Sequence, residues 1–101
     1  MTQREIAETI NQQLNWAGLP VRWSWGIHAL KALPPKDGMR GGLQFAVNGA
    51  KHKGHVRVWL TGGDDYTIEL GHLRGSFNVA YSVDGIYCDE LATTIDGMVE
   101  T

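Results

Sequence analysis

The side chains with chemistry to offer are few and scattered along the chain. His52 and His55 stand three residues apart. On a strand or turn that spacing sends two rings to opposite sides, and a zinc site needs three or four ligands. Only distant Asp64, Asp65, His72 or Cys88 could complete such a set, so no metal is expected. Asp64 and Asp65 follow Gly62-Gly63, but this run lacks the lysine and the Ser or Thr of a phosphate loop, and its paired carboxylates would repel phosphate. Adjacent acids also seldom converge on one substrate. His72 could act as a base for Cys88 or Ser76, which is the basis of a small-enzyme reading. No spacing singles that pair out, and no catalytic residue or cofactor is assigned.

The stronger constellation is basic and aromatic. Lys51 and Lys53 lie in and beside a turn opened by Asn48-Gly49, a hairpin signal, and His55, Arg57 and Trp59 alternate along the run that follows. Cations beside an exposed ring are what a single-stranded nucleic acid site uses, the cations for phosphate and the ring for stacking. Lysines on an exposed strand also discourage aggregation, and that alone could explain them. Trp and Arg are enriched among interface hot spots. Trp59 is therefore the residue hardest to explain as plain solvent face.

The elements that position these residues follow from periodicity. Leu43, Phe45 and Val47; Val56, Val58 and Leu60; Tyr66, Ile68 and Leu70; and Phe77, Val79 and Tyr81 make four runs of period two separated by turn signals. That pattern predicts a four-stranded antiparallel meander. Thr2 and Glu5 form a capping box, and Ile6, Ala7, Ile10, Leu14 and Ala17 make an apolar stripe, so a helix is expected over 3–16, stopped by Gly18 and Pro20. Val21, Trp23, Trp25 and Ile27 alternate with polar residues and suggest a further strand, its tryptophans buried under a helix or offered as a platform. Ile86 and Tyr87 suggest one more short strand. Asp89 would cap a final helix burying Leu91, Ala92, Ile95, Met98 and Val99. Residues 29–42, with Pro34-Pro35 and Gly41-Gly42, read as the longest loop. Its Lys36 and Arg40 join the partner-binding set because long loops in small domains carry function.

The expected class is α+β in one domain spanning 1–101: an N-terminal helix, an antiparallel sheet of four to five strands, and a C-terminal helix, both helices on one face. The other face would carry His55, Arg57, Trp59, Thr67, Glu69, Asn78, Ala80 and Ser82. Net charge is −2. Residues 21–60 hold seven basic side chains against Asp37, and 61–101 hold eight acidic ones against Arg74. In a folded sheet the two halves are expected to interleave and largely neutralise one another.

One cysteine cannot form an internal disulfide, which fits a reducing compartment, and no apolar run approaches the roughly 20 residues of a membrane span. A cytoplasmic protein without membrane association is expected. The favoured function is a non-enzymatic binding module with a protein partner, through Lys36, Arg40, Lys51, Lys53, His55, Arg57 and Trp59. Nucleic acid is the alternative partner, and a homodimer is compatible with the open face. A cysteine-poor, motif-free chain of this size has the character of the inhibitors of host defence that phages and mobile elements encode, anti-CRISPR proteins among them.

Overall fold

The computed structural model describes residues 2–16, 26–49 and 51–99. The expected strand around Trp23 and Trp25 lies outside them, apart from Gly26, Ile27 and His28, as does the Gly18-Pro20 helix stop.

Helix α1 (Gln3–Trp16) begins where the capping box predicts. The Glu5 amide donates to Thr2 Oγ1 at 3.2 Å, and the Thr2 amide donates to Glu5 Oε1 at 3.4 Å. Five strands follow: β1 (His28–Leu33), β2 (Met39–Asn48), β3 (Lys53–Thr61), β4 (Tyr66–Arg74) and β5 (Ser76–Ile86), then helix α2 (Leu91–Val99). All neighbours are antiparallel and the sheet order is β1-β2-β3-β4-β5, an uninterrupted meander.

One face of the sheet carries the core. Leu43, Phe45 and Val47, Val56, Val58 and Leu60, and Tyr66, Ile68 and Leu70 bury against Ile6, Ala7, Ile10 and Leu14 of α1 and Leu91, Ala92, Ile95 and Val99 of α2. Both helices therefore share that face. A side chain such as Phe45, fully buried there, contributes about 1.5–3 kcal/mol relative to leaving it in water. The first helical hydrogen bond of α2 runs from the Thr94 amide to the Glu90 carbonyl at 2.9 Å, which puts the cap position at Glu90 rather than Asp89.

The segment 29–42 is not a long loop. Lys36 and Met39 exchange backbone hydrogen bonds of 3.1 and 2.9 Å around Asp37-Gly38, and Gly38 takes a positive φ of 77°. This is a tight hairpin joining β1 to β2. Gly41-Gly42 lies inside β2, where a Cβ on Gly42 would stand 2.2 Å from the Val58 carbonyl oxygen; the glycine lets β2 and β3 approach.

The strands of the two charge halves do not alternate in the sheet, although Arg40 pairs with Asp64 and Arg57 stands opposite Glu69 across the halves. The strands pair in chain order, so β1–β3, which carry Lys31, Arg40, Lys53 and Arg57 and no acid, form a basic half beside β4–β5, where Glu69 and Asp84 stand against Arg74. Most other acids of the second half lie in the turn after β3 and in the C-terminal helical segment.

Candidate interaction face

The face opposite the helices is a lattice of rows set by strand register. One row runs Lys31, Gln44, Arg57, Glu69, Ser82 across all five strands; a second runs Leu33, Gly42, Trp59, Thr67; a third runs His28, Ala46, His55, Gly71, Val79. Alternation along β3 thus brings Lys53, His55, Arg57 and Trp59 to one face, as their spacing predicts.

Trp59 is not exposed there. Only 3% of its surface reaches solvent. Its indole N–H donates to Glu69 Oε1 at 2.7 Å and the Lys36 ammonium sits 4.2 Å from its ring centroid. Gly42 opposite has no side chain to lift the ring off the sheet. Thr67 is likewise buried, and its hydroxyl donates to Asp84 Oδ1 at 3.0 Å. Of the expected solvent face, His55, Arg57 and Glu69 are half-buried and Ser82 is exposed, whereas Asn78, paired with His72, is exposed on the helix side and Ala80 is left between the pairs of its neighbours.

Arg57 organises the rest. Its Nε donates to the buried Gln44 Oε1 at 2.8 Å, and its guanidinium carbon lies 4.2 Å from the Phe77 ring centroid. Phe77 pairs with Leu73, and Gly71 pairs with Val79. Leu73 and Val79, 43% and 50% exposed, therefore border the stack. The sequence reading placed Phe77 and Val79 on the core face. A register shift between Leu70 and Gly71 leaves Ala80 as the extra residue of β5 and reverses the alternation before it.

The other basic residues split up. Arg40 pairs with Asp64 at 2.9 Å. Lys51 belongs to α2, where its ammonium donates to the Gly97 carbonyl at 2.9 Å and its amide to the Val99 carbonyl at 2.7 Å. Lys53 is exposed at the start of β3. All four histidines gather at this end: the rings of His52 and His72 stand 5.4 Å apart, and the pKa of His55 is lowered by burial first and then by His28, His72, Arg57 and His52.

His72 and Cys88 do not meet. Ile86, two residues before Cys88, pairs with Tyr66 at one end of β4, and His72 lies six residues along that strand, about 20 Å away. His72 Nε2 is within 3.1 Å of the Lys53 carbonyl, whereas Cys88 is exposed beside Thr9, Gln12, Gln13 and Asp89. Among the described residues no three His, Cys, Asp or Glu side chains are grouped to hold a metal ion, and no helix is long and apolar enough to cross a membrane. Comparison with family models, curated proteins and solved structures gives no match.

Proposed function

We propose that this chain is a small non-enzymatic binding module for a protein partner, acting through the helix-free face centred on Arg57 and Phe77. The observation that carries the reading is the stack itself. An arginine held over an aromatic ring, bordered by exposed Leu73 and Val79, is the residue chemistry of an interface hot spot. Lys31, Lys53 and His55 flank it on the basic half of the sheet, so the complementary partner surface is acidic. Of the earlier partner set, Lys53, His55 and Arg57 stay in the site. Lys36, Arg40, Lys51 and Trp59 are engaged within the molecule.

The nucleic-acid alternative loses its stacking residue, because a ring as buried as Trp59 cannot receive a base. A module of this kind in a reducing cytoplasm suits a stoichiometric inhibitor carried by a phage or mobile element, of which anti-CRISPR proteins are one class.

The test is affinity capture from host lysate with and without nuclease, comparing wild type with an Arg57→Glu, Leu73→Asp variant of matching circular dichroism. A nuclease-resistant protein retained by wild type and lost from the variant supports the proposal, and titration of that purified protein then gives the affinity change. Recovery of nucleic acid alone, or of proteins that both forms bind equally, overturns it.

A further inference from the structure

We infer that β5 is a self-pairing edge: two copies of this chain associate as a twofold dimer by antiparallel pairing of β5 with β5, extending the sheet across the pair. This goes beyond the binding face proposed above and does not depend on it.

The two edges of the sheet are built differently. β1 is six residues long, carries Lys31, has a register shift between His28 and Lys31, and lends its Ala32 carbonyl to Gln3 Nε2 of α1 at 3.2 Å. Those features blunt an edge against another strand. β5 is the longest strand, 11 residues, with neither lysine nor proline and Asp84 as its single charge. Among the described residues it pairs with β4 alone and is exposed along almost its whole length. An open row of backbone donors and acceptors on such a strand is a template for pairing.

The side chains favour a second copy as the occupant. Val79 and Tyr81, 50% and 58% exposed, flank Ala80 on opposite faces of the strand, so pairing there covers apolar surface on both. The bulge at Ala80 blunts an edge when it sits anywhere but the middle of the new ladder. With the twofold axis between Ala80 and Tyr81, the reversed alternation matches itself from Asn78 to Val83, and the second register shift of β5, between Val83 and Ile86, lies outside that central ladder. Val79 then lies opposite Ser82 of the second copy and Asn78 opposite Val83, each pair on one face, because Val79 and Ser82 share the face of Gly71 and Glu69 while Asn78 and Val83 share that of His72 and Ile68. The same axis separates the two Asp84 carboxylates by seven residue positions, about 23 Å along the strand and beyond the screening length of physiological salt. A strand of different sequence would need its own bulge to match. The copy of β5 already has it.

The test is the mass of the full chain in solution by sedimentation equilibrium over a concentration series, for wild type, Tyr81→Lys and Val79→Lys. A lysine at 81 stands one position from its like across the axis, and a lysine at 79 replaces apolar surface opposite Ser82 of the second copy; both leave the monomer's core untouched. Wild type is expected at twice the 11.2 kDa of one chain, with each variant dissociating at least about tenfold more readily and keeping the wild-type circular dichroism. Monomeric wild type throughout the series overturns the proposal, and so does a dimer that both lysine variants leave unchanged. Tyr81 lies on the helix side of the sheet, away from Arg57 and Phe77, so Tyr81→Lys separates failure of the dimer from failure of the partner-binding face.

Discussion

Trp59 and Glu69 face each other diagonally across the β3–β4 pair, the indole N–H donating to the carboxylate at 2.7 Å. The ring is buried and its donor has this acceptor, so the bond is of the charged kind that contributes about 1.5–3 kcal/mol. Glu69→Ala should lower unfolding stability by that amount in urea titration, because it leaves a buried N–H unpaired. Glu69→Gln keeps an acceptor and should cost less. Equal losses from the two variants would show that the hydrogen bond contributes nothing beyond packing.

Gly42 tests the closeness of β2 and β3. A Cβ there would meet the Val58 carbonyl oxygen at 2.2 Å and the Trp59 Cα at 3.2 Å, both backbone, whereas one on Gly62 in the β3–β4 turn meets nothing within 4 Å. Gly42→Ala should cost about 1–3 kcal/mol through forced separation of the strands, and Gly62→Ala should stay within about 0.5 kcal/mol of wild type. Thermal denaturation of the two variants side by side decides it, and similar melting temperatures would refute the close approach.

What could be read from the chain alone divides along physical lines. Val56, Val58 and Leu60 alternate because one face of β3 is in the core, and the Thr2–Glu5 box is a local signal, so both were legible. β1 was not. His28–Leu33 is exposed over its first four residues and irregular in register, so nothing imposes period two on it. Period two placed Trp59 on the correct face, but its burial comes from Gly42, Lys36 and Glu69, residues brought together by pairing rather than by spacing. β5 has two extra residues, one between Val83 and Ile86 and one at Ala80, and the one at Ala80 reversed the faces of Phe77, Asn78 and Val79. The Arg57–Phe77 stack was hidden for that reason. An apolar residue, Ala80, at a position where the alternation calls for a polar one was the only hint.

Lys51 separates a structural cation from a recognition one. Its ammonium and amide both hold carbonyls in the last turn of α2, where a positive charge also opposes the negative end of the helix dipole. Lys51→Ala should destabilise the protein by about 0.3–1 kcal/mol and speed amide exchange in the last turn of α2. It should leave partner capture unchanged. Loss of capture with a stable α2 would return Lys51 to the binding face.

The histidine end of the sheet gives the fold a pH dependence of definite sign. His55 has its pKa lowered from the ordinary 6.5, chiefly by burial, and the other groups acting on it, His28, His72, Arg57 and His52, are all cationic when charged. A base whose folded pKa lies below its unfolded value binds protons more readily in the unfolded chain. Its neutral form therefore favours folding above pH 6.5. That advantage is lost progressively as pH falls from there through the lowered folded value. Urea midpoints measured from pH 8 down to about pH 5 should be level at first and then decline as pH falls below the ordinary histidine value of 6.5. His55→Gln, which cannot take up a proton, should flatten part of that decline while the carboxylates remain ionised. A decline of the same size in His55→Gln would assign it to other groups, and a rise in stability on acidification would contradict the lowered pKa outright.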